Sequence, residues 1–340
     1  MVELGKCKPF ITAEVGTTFE GSFQAAMDLV KITKDAGADA VKFIFWFPDE
    51  IMVDRKYHYE YQNTQGAQSE NMYDMLQKLR LPLNEWKQVK QYADELGITF
   101  FATVNSPTGI EWVEELQLKW YKLSSWDFNY PWLWREIGKT GKPVIIDTGP
   151  VVIHELMESI LWLGHDNYIL VHTTHAKVSE QMNMRTIPYL KHLFNCPVGY
   201  SASGRGLTGD IMALALGADF LEKRVTTSLD VKGHHQHLAL PPDMFKIYVS
   251  KMREVEVMLG VDTLIPSAGD LEQRKKWFRM WIAMEDIRVG EAVTTKNTRE
   301  IRMLEQENCY EPNLYELNGV TAIKDIKKDT PISSDNVVKG

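Results

Sequence analysis

The phrase Gly37-Ala-Asp-Ala-Val-Lys42 returns near the far end of the chain as Gly217-Ala-Asp-Phe-Leu-Glu-Lys223, with one residue inserted. Each copy leaves a helix through a glycine and enters a short apolar strand that ends on lysine. Two strands joined through a helix run parallel, with a right-handed crossover. A chain that reuses this unit must alternate strand and helix, and a ring of βα units closes that alternation without leaving a sheet edge. The remaining apolar segments fit: Phe10–Glu14, Ala40–Phe43, Thr99–Thr103, Trp120–Ser125, Pro143–Asp147 and Tyr168–His172, with two more inside Pro197–Arg224. Amphipathic stretches lie between them, such as Ser22–Ala36 before Gly37 and Leu83 to Gly97. The expected fold is α/β, a (β/α)8 TIM barrel over residues 1–262. An open doubly wound sheet is the runner-up, and no Gly-x-Gly-x-x-Gly follows the first strand to support it. The polar, aromatic stretch from Trp46 to Ser69 reads as a long loop over one face.

Residues 263–279 are polar, with Pro266 and Gly269, and read as a linker. Beyond it Ala283-Met-Glu-Asp-Ile-Arg-Val-Gly is echoed by Ala322-Ile-Lys-Asp-Ile-Lys-Lys-Asp. Two copies are too few for a solenoid, so residues 280–340 are expected to form one small β-rich domain. The net charge of −8 and the lack of a long basic block argue against nucleic acid. Apolar runs stop short of a membrane span, and the N-terminus does not read as a signal peptide. Cys7, Cys196 and Cys309 are few, odd in number and scattered, which fits a reducing cytoplasm better than a disulfide framework or a cysteine zinc site.

In such a barrel the strand C-terminal ends converge on one pocket. Here they carry Glu14, Lys42, Thr103, Lys122 with Ser125 and Asp127, Asp147, His172 with His175, Ser201 with Ser203, and Lys223 with Arg224. Lysine is rarely buried without a partner. Three lysines facing one cavity call for an anionic ligand, a phosphate or carboxylate, with Ser and Thr hydroxyls as further donors. The competing reading pairs each lysine with a local Asp or Glu and needs no ligand. A Schiff-base aldolase is a third reading, but no single lysine is marked as its nucleophile. Glu14 and Asp127 are candidate acid/base groups. His234-His235-Gln236-His237 resembles a metal site in composition, yet neighbouring residues point in different directions.

Several motifs, in order, resemble the N-acetylneuraminate (sialic acid) synthases and their legionaminate and pseudaminate relatives. They are Ala13-Glu14-Val15-Gly16 with Gly21-Ser22, Gly37 to Phe43, Tyr121-Lys122-Leu-Ser-Ser125, Lys139-Thr-Gly-Lys-Pro-Val144, Val198-Gly-Tyr-Ser201 and Leu216-Gly-Ala with Glu222-Lys223. The C-terminal repeat looks like the antifreeze-like (SAF) domain of these enzymes. The resemblance implies condensation of phosphoenolpyruvate with the open-chain aldehyde of an N-acylated hexosamine or related aldose, releasing phosphate. It implies that Lys42, Thr103, Lys122, Ser125 and Ser201 hold phosphoenolpyruvate, with Asp147, His175 and Lys223 also in the substrate site. Glu14 and Asp127 are the implied catalytic groups, and Arg224, where the family has His, is a further catalytic candidate. Arg302 falls where the family's antifreeze-like domain reaches into the partner's barrel, implying a domain-swapped homodimer. The family's two metal-binding histidines align with Ser203 and Gln236, so no tightly bound divalent ion is expected there, and Arg224 is the substitute cation. Other departures are Thr18-Phe19-Glu20, Ile44, Asp147 and Met303-Leu304. The alternative is a catalytically lapsed anion- or sugar-binding or scaffold protein of the same fold.

Overall fold

The structure, a computed structural model, describes residues 8–63, 65–175, 179–202, 204–302, 314 and 316–340. The chain forms two compact units, Met1–Gly260 and Val261–Gly340. In chain order the strands of the first unit are β1 (Phe10–Gly16), β2 (Ala40–Ile44), β3 (His58–Asn63), β4 (Gly66–Asn71), β5 (Thr99–Val104), β6 (Tyr121–Leu123), β7 (Val144–Asp147), β8 (Tyr168–Thr174), β9 (Val198–Ala202) and β10 (Phe220–Arg224). All except β3 and β4 form a closed barrel, in the order β1-β2-β5-β6-β7-β8-β9-β10, and β10 pairs with β1. Every barrel pairing is parallel, as the alternation of strands and helices requires.

The repeated Gly-Ala-Asp phrase has a structural job. Asp39 Oδ2 accepts from Ile11 N at 2.8 Å, and Asp219 Oδ2 accepts from Val198 N at 2.9 Å. Each aspartate fastens the start of one strand to the start of its parallel neighbour. Helix Phe23–Ala36 shows how the outer layer is built. Ser22 caps it by accepting from Ala25 N, and Ala26, Leu29, Val30 and Thr33 face the barrel.

Strand side chains alternate between the two faces of the wall. Phe10, Ala40, Phe101, Trp120, Ile145, Ile169, Val171 and Phe220 fill the barrel interior as an apolar floor. Two residues further along their strands stand Lys42, Thr103, Lys122, Asp147 and Glu222. The same periodicity that packs the floor therefore builds a polar layer above it.

The segment after β2 differs from the expected loop. It holds a short helix, Pro48–Ile51, and the antiparallel hairpin β3–β4, whose half-buried Tyr59 and Tyr61 alternate with exposed His58 and Glu60. Only two aromatic positions alternate within an otherwise polar stretch, too few to stand out as a strand in the sequence.

The second unit contains helix Ala268–Trp277, capped by Ser267 and without a buried residue, and two hairpins. These are β11 (Met280–Ala283) with β12 (Thr298–Ile301), and β13 (Val320–Ala322) with β14 (Val337–Lys339). Its internal repeat is a pseudo-twofold. Ile287 N donates to Ile326 O and Ile326 N to Ile287 O, while Gly290 N donates to Ala322 O and Asp329 N to Ala283 O. Ala283, Ile287 and Val293 share one core with Ala322, Ile326 and Ile332, so each half covers the apolar face of the other.

Candidate active site at the barrel mouth

Two lysines project into the barrel. Lys42 Nζ is ion-paired with Glu14 Oε2 and lies 3.7 Å from Glu222 Oε1. Lys122 Nζ lies 2.5 Å from Glu222 Oε2 and 2.9 Å from Asp147 Oδ1. Glu222 thus bridges both cations. Ser201 Oγ donates to Glu222 Oε1 at 3.2 Å, and Thr173 Oγ1 donates to Asp147 Oδ1 at 2.8 Å. Arg224 completes the layer, its guanidinium 3.7 Å from Glu14 Oε1. Beside Glu14, Gly16 takes φ +56°, and a Cβ there would lie 2.4 Å from the Glu14 carboxylate. Glycine lets the chain leave the strand without displacing the acid.

Buried charges persist only when paired. Burial pulls the Lys122 ammonium down, but Asp147, Glu222 and Glu14 more than offset it and hold it above its ordinary value. Burial likewise raises Glu222, yet Lys122 and Lys42 bring it down to about 2. Both groups are therefore charged at neutral pH. Thr103, next to Lys122 in the β5–β6 register, has a buried hydroxyl with no hydrogen-bond partner among the described residues, as does Thr12.

Lys223 is the correction. The sequence reading put it in the mouth, but its side chain points outward. It contacts Asp210 Oδ2 at 2.8 Å and Gly206 O at 2.6 Å and lies over the Tyr248 ring, whose hydroxyl donates to Asp210 Oδ1 at 3.0 Å. The residue inserted in the second copy of the repeat explains it. Lys42 stands three residues after Asp39, and the residue three after Asp219 is Glu222. Glu222 takes the inward position, and Lys223 falls on the opposite face. Glu222 was not among the expected site residues, although counting the repeat from its aspartate marks it. His172 also faces outward, with Nε2 2.8 Å from Met182 O.

The loops add three expected residues, Ser125, Asp127 and His175. Ser125 is buried at the head of the turn Ser125–Asp127. Burial pushes the Asp127 carboxyl up to about 7. His175 is exposed and stacks on the exposed Trp126, with ring centroids 4.8 Å apart. Arg302 lies in the second unit and donates from Nε to Trp277 O at 2.9 Å. Ser203, Met303 and Leu304 lie outside the described residues.

The donor set does not suit the metal centre that the resemblance implies. Gln236 is fully buried, and both ends of its amide are engaged. Its Oε1 accepts from Thr226 Oγ1 at 2.5 Å, and its Nε2 donates to Thr18 O at 2.9 Å and to Glu20 Oε1 at 3.2 Å. It ties the loop after β1 to the loop after β10. His234 and His235 pack ring against ring, with centroids 3.5 Å apart. Burial, then the charge of Arg224, depress both imidazoles, His234 to about 4. Among the described residues no group of three His, Cys, Asp or Glu side chains has metal-binding geometry.

The closed parallel barrel carries a balanced set of lysines and carboxylates above its floor. The chain belongs to the NeuB family, whose model matches residues 29–263. It is 31% identical to an uncharacterized protein of Methanocaldococcus jannaschii, over 86% of this chain and 85% of that one. It is 28% identical to the N,N'-diacetyllegionaminic acid synthase of Campylobacter jejuni, over 85% of this chain and 89% of that one. Among solved structures, a putative spore coat polysaccharide biosynthesis protein E from Chromobacterium violaceum shares the fold, with a TM-score of 0.80 at 17% identity, covering 97% of this chain and 100% of that one. No helix among the described residues is long and apolar enough to cross a membrane.

Proposed function

We propose that the chain is a nonulosonic-acid synthase that condenses phosphoenolpyruvate with an open-chain aldose and releases phosphate. The observation that carries this reading is the inward pair Lys42 and Lys122, bridged by Glu222, with the unpartnered Thr103 hydroxyl beside it. Relatives named as synthases of legionaminic and pseudaminic acids support it. Lys42, Lys122, Thr103, Ser125 and Ser201 would bind the phosphate and carboxylate, as cations and hydroxyl donors do.

In the reaction, C3 of phosphoenolpyruvate forms a bond to the aldehyde carbon, whose oxygen becomes an alkoxide and takes a proton. Water adds at C2 and gives up a proton, and the C2–O bond to phosphate then breaks. Arg224 stabilises the alkoxide, a role suited to a fixed cation. Asp127 is uncharged below about pH 7 and supplies its proton. Glu14, an ion-paired carboxylate, is placed to accept the proton from water. Asp147 and His175 contribute to the rim of the substrate site. We assign Lys223 no contact with substrate, because it is spent on Asp210.

One observation favours the second reading, a lapsed anion-binding protein. Each inward lysine already has a carboxylate partner, and Asp147 stands where the family has serine. Phosphate release from phosphoenolpyruvate across a panel of aldoses separates the two readings. Acceptor-dependent release supports the synthase, and its absence across the panel supports the binding protein. On the resemblance we also assign residues 280–340 as an antifreeze-like domain, with Arg302 serving a partner's site in a cytoplasmic homodimer. A monomer at micromolar concentration in ultracentrifugation contradicts that arrangement.

A further inference from the structure

The charges inside the barrel balance before any ligand arrives. Ion-pair contacts join Lys42, Lys122 and Arg224 to Glu14, Glu222 and Asp147. Among the described residues that network holds three cations and three carboxylates, so it is neutral as a whole. Phosphoenolpyruvate carries a carboxylate and a phosphate, between about two and three negative charges at pH 7. Seating such an anion in a neutral, buried network leaves its charge uncompensated, which a protein interior tolerates poorly. A carboxylate beside a new anion favours its protonated form, so taking up one proton restores the balance.

Asp147 is the carboxylate placed to do so. Burial raises Glu222, yet the two lysines it bridges, Lys122 and Lys42, bring it down to about 2. Glu14 is held by two cations, Lys42 and Arg224. Asp147 has one, Lys122, and shares it with Glu222. Its side chain is also the most accessible of the three, 14% exposed against 5% for Glu14 and 4% for Glu222, so a proton reaches it from solvent. Its surroundings are those of the proposed phosphoenolpyruvate site. Lys122 faces it from β6 at 2.9 Å, with Glu222 of β10 across that ammonium. From β8 the Thr173 hydroxyl donates to it at 2.8 Å. The loops after β6 and β7 touch. Gly149, two residues beyond Asp147, takes φ +43°, and a Cβ there would lie 2.1 Å from Ser125 Cβ. Ser125 and Asp127 thus stand in the neighbouring turn, and His175 follows β8.

We infer that Asp147 occupies, in the free protein, the place on Lys122 that an anionic group of phosphoenolpyruvate takes, and that this ligand enters with uptake of a proton by Asp147. The inference rests on the synthase reading and deepens it by assigning Asp147 control over how the anion binds. The proton comes from solvent. Lys122 passes from the aspartate to the ligand, and the neutral acid stays beside the anion without repelling it. Affinity for phosphoenolpyruvate therefore falls as pH rises, by up to about tenfold per unit where a full proton is taken up. The pairing of Lys122 with Asp147 is on this account a resting state and not the mark of a lapsed site.

The test is calorimetric titration of the full chain with phosphoenolpyruvate alone at about pH 8, where the ligand's phosphate is already a dianion. Two buffers of different ionisation enthalpy are used, and the difference in heat counts the protons exchanged. The wild type is expected to take up about 0.5–1 proton. Asp147→Ser and the isosteric Asp147→Asn are expected to take up almost none and to bind at least about tenfold more tightly at that pH, with the gap closing toward about pH 6. Either variant suffices if the other fails to fold. Asp127→Asn, which removes the other carboxylic acid nearby, should keep the uptake. Binding without uptake by the wild type, uptake that persists in the Asp147 variants or vanishes in Asp127→Asn, or affinity that is unchanged or weaker in the Asp147 variants overturns the inference and leaves the synthase reading standing. No binding by the wild type overturns it too, and no binding by any variant overturns the synthase reading as well. Proton-linked binding without phosphate release across the aldose panel overturns the synthase reading alone.

Discussion

Lys122 and Lys223 are both buried lysines on barrel strands, with side-chain exposures of 0% and 2%, and each has a carboxylate partner within 2.9 Å. They face opposite sides of the wall. Lys223 sits between the barrel and its helices, where its partner Asp210 is also held by Tyr248. Lys122 shares Glu222 with a second lysine and stands beside a hydroxyl without a partner. Burial and pairing alone therefore do not mark a site. An ion pair becomes a candidate site when it faces the barrel interior and shares its carboxylate with a second cation.

The sharpest test of this contrast is stability. Lys223→Met leaves Asp210 buried without its cation, and removing one member of a buried pair costs about 3–5 kcal/mol. Denaturant unfolding should show that loss, with the KM for phosphoenolpyruvate unchanged wherever the variant is folded. A changed KM would bring Lys223 back into the site.

A smaller effect, on binding, is expected inside the barrel. Lys42→Met and Lys122→Met should each weaken phosphoenolpyruvate by about 1.5–3 kcal/mol, the scale of a hydrogen bond to a charged group. Equilibrium titration of the ligand checks this, and unchanged affinity in both variants would make the inward pair merely structural, like the outward one.

The mildest effect is a pH dependence. Asp127 is raised from 3.8 to about 7 by burial, so folding favours its protonated form. The stability it contributes is full below pH 3.8 and is lost as pH rises through about 7. As the proton donor it should make kcat/KM fall about tenfold per unit above pH 7. Asp127→Asn should remove that limb along with most of the activity. If the limb persists in the variant, another group is the acid.

Much of this was legible in the sequence. The doubled Gly-Ala-Asp phrase announced parallel strands, and the charged residues at their C-terminal ends announced a site at one end of the barrel. The facing of Lys223 was harder to read, because one inserted residue reverses it and the lysine motif hides the insertion. Glu222 was passed over for the same reason. The β3–β4 hairpin was obscured because its inward positions are two tyrosines and an asparagine among polar neighbours. The engagement of Gln236 depends on Thr18, Glu20 and Thr226, partners brought together only when the barrel closes.

The most direct test of the central claim is phosphate release from phosphoenolpyruvate with a neutral N-acetylhexosamine, measured side by side for the wild-type chain, Lys122→Met and Lys223→Met at a temperature where all three are folded. The account predicts acceptor-dependent release by the wild type and by Lys223→Met, and little or none by Lys122→Met at subsaturating phosphoenolpyruvate. Wild-type rates in Lys122→Met, or release abolished in folded Lys223→Met, would contradict it.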